Sequence, residues 1–83
     1  MEEVIVPDLG IAPSSPLVVS CWLADVGEEV VEGDRLVELI SGEITVDIPS
    51  PTSGKLAKVK IGRNRKVQPG SVLGWIEPDA DTE

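Results

Sequence analysis

Apolar and polar side chains alternate over short stretches of this chain, and turn-forming residues interrupt the alternation every few positions. The apolar-rich stretches fall at 3–6, 17–24, 29–31, 36–41, 44–48, 55–60, 66–68 and 72–76. Between them lie Pro7-Asp8-Leu9-Gly10, Pro13-Ser14-Ser15-Pro16, Val26-Gly27-Glu28, Glu32-Gly33-Asp34, Ser50-Pro51-Thr52-Ser53-Gly54 and Pro69-Gly70-Ser71. These are turn and loop compositions. No ten-residue stretch shows a 3.6-residue apolar period free of Gly and Pro. The pattern therefore predicts many short strands, no helix, and an all-β sandwich or flattened barrel.

An internal repeat refines the prediction. Val30-x-x-Gly33-x-x-Leu36-x-x-Leu39 recurs as Val67-x-x-Gly70-x-x-Leu73-x-x-Ile76, displaced by 37 residues. A repeat of this length predicts two similar half-domains, neither able to bury its apolar face alone. Ile61-Gly-Arg-Asn-Arg-Lys-Val67 reads as a loop two residues longer than its counterpart from Gly27 to Val30.

The most informative stretch is Leu36 to Ile48. Gly42-Glu43 suits a two-residue type II′ hairpin loop, whose first position needs a positive φ. That loop fixes the register: Ser41 faces Ile44, Ile40 faces Thr45, Leu39 faces Val46, Glu38 faces Asp47, and Val37 faces Ile48. Val37, Leu39, Ile44, Val46 and Ile48 then form the core face, with Glu38, Thr45 and Asp47 on the other. Opposed Glu38 and Asp47 read as a cation site, a partner-facing acidic patch or, more simply, a solvated outer face. A hard cation needs several more oxygen ligands than this pair offers.

Composition narrows the chemistry. The 83 residues fit one domain, too small for a deep catalytic cleft. His is absent and Cys21 is single, which excludes a His-dependent hydrolase, a cysteine metal cluster and a disulfide scaffold. Neither a nucleophile–base pair nor a phosphate loop is present, so the chain is not expected to be an enzyme. The net charge of −8 argues against generic nucleic-acid binding. No apolar run reaches the roughly 20 residues of a membrane span. The start, Met-Glu-Glu, lacks a signal-peptide pattern, so the expected compartment is the cytoplasm.

At the hairpin the sequence resembles the lipoyl domains of 2-oxo acid dehydrogenase complexes and the related biotinyl domains. Val4-Ile-Val-Pro-Asp-Leu-Gly10 is similar to the start of the acyltransferase component. Trp22 to Gly27, Val30 to Leu39, Thr45 to Pro51 with Gly54, and Val67-x-Pro-Gly70 with Leu73 and Ile76 extend the resemblance over residues 3–77. It implies a flattened β-barrel of two four-stranded antiparallel sheets with quasi-twofold symmetry. The expected domain spans 1–77, and the acidic stretch 78–83, with Pro78 and almost no apolar content, reads as a tail or linker start. In that family the hairpin tip carries a lysine acylated by lipoate or biotin. Here Glu43 occupies that position, flanked by Gly42 and Ile44, and the nearest lysine in the sequence is Lys55.

The resulting expectation is a non-catalytic lipoyl-domain homologue with no cofactor and a docking role. Proteins of a 2-oxo acid dehydrogenase-like complex are the expected partners, neither nucleic acid nor membrane is expected, and Glu38, Glu43 and Asp47 are the expected contacts. The alternatives are a structural adaptor of membrane-fusion-protein type, a carrier modified at another lysine, for which Lys55 and Lys58 are poor candidates because a ligase reads a lysine held at a tight turn, and a true carrier whose Glu43 is an engineered change. The differing neighbours Gly42 and Ile44 favour natural divergence over a single designed replacement.

Other features carry plainer readings. Lys55, Lys58, Lys60, Arg63, Arg65 and Lys66 form the only basic run, read as a strand face plus a solvated loop. A regular strand places Lys58 and Lys60 on one face and Lys55 on the other. The Pro13-to-Pro16 loop is expected near the tip. Cys21 is expected to be a packed or half-exposed strand residue, and Trp22 and Trp75 are expected at the core edge, near each other.

Overall fold

The computed structural model describes residues 1–8 and 16–79. Eight strands follow in chain order: β1 (Glu2–Ile5), β2 (Leu17–Trp22), β3 (Glu29–Val30), β4 (Arg35–Ser41), β5 (Ile44–Pro49), β6 (Gly54–Val59), β7 (Lys66–Val67) and β8 (Val72–Pro78). They pair antiparallel into two four-stranded sheets, ordered β1-β8-β6-β3 and β5-β4-β2-β7. Every strand predicted from the apolar pattern is present, and the described residues contain no helix. Pro13, Ser14 and Ser15 of the predicted near-tip loop lie outside the described residues, as do 80–83 of the acidic stretch. Strand β8 of the first sheet runs through Pro78, and the Asp79 amide donates to the Ser53 carbonyl.

The 37-residue offset is written into the topology. It carries β2 onto β6, β3 onto β7 and β4 onto β8, with β5 and β1 as the remaining pair. Under this exchange one sheet order becomes the other. Main-chain bonds repeat with the same offset. The Gly33 amide donates to the Ser50 carbonyl at 3.0 Å, and the Gly70 amide to the Val6 carbonyl at 2.8 Å. Asp34 Oδ2 accepts from the Val31 amide, as Ser71 Oγ accepts from the Gln68 amide. Gly33 and Gly70 have φ of 94° and 92°, a region closed to most side chains, which is why glycine recurs in both repeat units.

The repeat also corrects one loop. The Gly27 amide donates to the Leu56 carbonyl, and 37 residues on the Asn64 amide donates to the Val19 carbonyl. Asn64, with φ 68°, is the counterpart of Gly27, so the loop before β7 is no longer than its mate. Asn tolerates the left-handed region better than most residues, and it replaces glycine here.

The core lies between the sheets. Val4, Val19, Leu36, Val37, Leu39, Leu56, Leu73 and Ile76 are all buried within it. The quasi-equivalent inner strands β2 and β6 carry bulges at matching positions, Ser20 and Ala57. The second one overturns an expectation about the basic run. Lys55 pairs with Glu77 and Lys58 with Trp75, so Lys55 and Lys58 share the outer face rather than opposing each other. Lys58 Nζ sits 5.6 Å from the centre of the Trp75 ring. Trp22 points the other way: its Nε1–H donates to the Ile61 carbonyl at 2.9 Å. The two indoles are not quasi-equivalent, because the offset relates Trp22 to Val59 and Trp75 to Glu38.

Candidate functional site

The β4–β5 hairpin has the register expected from its sequence, pair by pair from Ser41↔Ile44 to Val37↔Ile48. Gly42 has φ 61°, and Glu43 does not share a positive φ, as a type II′ loop requires. Glu43 is exposed at the tip. Val37, Leu39 and Ile48 are buried and Val46 is half-buried, but Ile44 is 49% exposed. Ile44 has the parity of the core face, yet it sits in the last pair before the turn on an outer strand. There it escapes the core it was expected to join.

Glu38 and Asp47 are direct cross-strand neighbours on the outer face. They do not act as two free carboxylates. Arg35 Nη1 lies 3.3 Å from Asp47 Oδ2. The Cys21 thiol donates to Glu38 Oε1 at 3.9 Å, a weak sulfur contact. Arg35 is the only basic residue in 1–48, and the bulge between Arg35 and Val37 sets it beside Asp47. An exposed pair of this kind contributes less than about 1 kcal/mol. No acidic or cysteine cluster suited to a metal ion occurs among the described residues.

Glu43 stands apart from this pair. Four residues of extended strand separate it from Asp47, about 13 Å. The three carboxylates therefore divide into an outer-face pair, of which Asp47 alone is ion-paired, and a separate carboxylate at the tip. The tip bears no amine. Lys55 lies on β6 in the other sheet, and Lys66 lies on β7, at the edge opposite β5. An amide-linked lipoyl or biotinyl group needs a primary amine, so the residues at the tip do not fit that attachment.

The architecture matches known proteins. The biotin/lipoyl family model, described as a biotin-requiring enzyme, matches residues 2–76. The chain belongs to the biotin/lipoyl attachment family. Among its relatives is the dihydrolipoyllysine-residue succinyltransferase component of the 2-oxoglutarate dehydrogenase complex of Bartonella vinsonii subsp. berkhoffii, 35% identical over 94% of this chain and 19% of that protein. The acetyltransferase component of the pyruvate dehydrogenase complex of Mycobacterium bovis is 31% identical over 96% of this chain and 14% of its own length. The chain thus spans a fifth or less of these two relatives. The lipoyl domain of the 2-oxoglutarate dehydrogenase complex from Azotobacter vinelandii superposes with a TM-score of 0.71, covering 93% of this chain and 99% of that domain at 17% identity. Within the relatives, the stretch that this chain matches is a small lipoyl domain of the acyltransferase component, not a catalytic one.

Proposed function

We propose that this chain is a lipoyl-domain homologue of the acyltransferase type that carries no lipoate and serves as a docking module. The observation that carries the reading is Glu43, exposed at the tip of a two-residue loop, on a hairpin without a lysine. A carboxylate cannot form the amide that holds either cofactor. The relatives are components of 2-oxo acid dehydrogenase complexes, which favours proteins of such a complex as partners. The tip, with exposed Glu43 and Ile44, offers a charged and an apolar contact together. Glu38 and Asp47 lie further along the same hairpin and extend the contact surface. The two-residue closure of the hairpin disfavours the adaptor arrangement, in which a long helical hairpin interrupts the module at this point.

The reading is tested by the intact mass of the protein after co-expression with lipoate and biotin ligases. The expected result is an unmodified chain. A gain of one lipoyl or biotinyl group overturns it, and the modified peptide then names the lysine that carries the group.

A further inference from the structure

The molecule has two long edges. Glu3, Val4 and Ile5 of β1 and Ile48 and Pro49 of β5 line one groove of about 330 Å3, so these outer strands share an edge. β3 and β7 are the outer strands at the opposite edge. Two of the connectors that change sheet lead into them: 23–28, from β2 to β3, and 60–65, from β6 to β7. The Gly27 amide bonds the Leu56 carbonyl on β6, and the Asn64 amide bonds the Val19 carbonyl on β2. Each connector rests on the strand that leads into the other, so the two run side by side.

These quasi-twofold mates carry opposite charge. Asp25, Glu28 and Glu29 belong to the first connector and the start of β3. Lys60, Arg63, Arg65 and Lys66 belong to the second and the start of β7. All seven are exposed. Among the described residues no ion pair joins the two groups. Glu28 alone uses its side chain locally, accepting the Asp25 amide at Oε1. Leu23 and Val26, 47% and 60% exposed, belong to the same acidic connector.

We propose that this edge is a self-association surface on which a second copy of the chain docks, the acidic connector of each copy against the basic connector of the other. A quasi-twofold that exchanges positive for negative makes the edge self-complementary. A second copy turned about an axis lying in the edge, between the connectors, sets plus on minus at both ends. Turned about the line joining the connectors, it meets like with like. Charge therefore selects one dimer orientation. The aliphatic stems of Lys60 and Arg63 then cover the partner's Leu23 and Val26.

Net charge does not forbid the contact. The two groups hold three acids and four bases, against −8 for the whole chain, so the repelling charge lies elsewhere. At about 0.15 M salt the Debye length is ~8 Å, which screens that distant charge more than the contact pairs.

Sedimentation equilibrium of the whole chain tests the proposal at about 0.15 M salt. The average mass is expected to rise toward the dimer as concentration approaches about 1 mM, the range of a weak association. Arg63→Glu with Arg65→Glu, and separately Asp25→Lys with Glu29→Lys, are each expected to stay monomeric with the unfolding midpoint of the parent. An equimolar mixture of the two variants is expected to regain the dimer, because an edge of net negative charge then meets one of net positive charge. A parent that stays monomeric at about 1 mM, as it would if the edge served a different acidic protein, overturns the proposal. So does a dimer that survives charge reversal, or a mixture that remains monomeric.

Discussion

Leu73→Ala and Leu36→Ala are each expected to lower stability by about 3 kcal/mol, because both side chains are fully enclosed. They are quasi-equivalent, one from each repeat unit, and both point into the single core between the sheets. Truncation removes the transfer energy of the lost methyl groups and leaves a cavity that two paired sheets cannot collapse around. A chain of this length has only roughly 4–12 kcal/mol of stability in total. Either substitution therefore consumes a large share of it. Denaturant unfolding reads the effect as a lower midpoint with an unchanged slope. A loss confined to one of the two positions would show that the halves do not share the core equally.

Gly74→Ala is expected to cost a similar amount, about 3 kcal/mol, for the opposite reason. A Cβ at position 74 meets the Lys58 carbonyl oxygen of the neighbouring strand and lies 3.0 Å from Cη2 of Trp22. Neither can yield easily: the carbonyl belongs to the paired β6, and the indole is tied to the Ile61 carbonyl. Trp22→Phe in the same chain removes the ring contact but not the backbone one, so it is not expected to restore stability. Thermal unfolding of the single and double variants checks this. Full rescue by Trp22→Phe would make the indole, not the carbonyl, the obstacle.

Gly74 also explains why the repeat is only partly legible in the sequence. Its quasi-equivalent is Val37, and the quasi-equivalent of Trp22 is Val59. One half packs a large residue against none, and the other uses two of middle size. The apolar pattern carried the strands, and the Gly42 loop carried the register, because each depends on local alternation or on a single positive φ. The bulges at Ser20 and Ala57 have no such mark. They come from the pairing of distant strands, and with them came the common face of Lys55 and Lys58. Asn64 escaped notice because Gly62, two residues earlier, is the more obvious match to Gly27. At the site, the position of Glu43 was legible from the turn. The Arg35–Asp47 pair was not, since it depends on a bulge, and neither was the exposure of Ile44, which depends on where the core ends.

The central claim is that the hairpin keeps the geometry of a carrier tip and that Glu43 removes its chemistry. The intact mass of Glu43→Lys after co-expression with lipoate ligase tests this most directly. The account predicts that the variant gains a single lipoyl group on residue 43. A variant that stays unmodified would contradict it, and would place the loss of carriage in the turn between Gly42 and Ile44 rather than in Glu43.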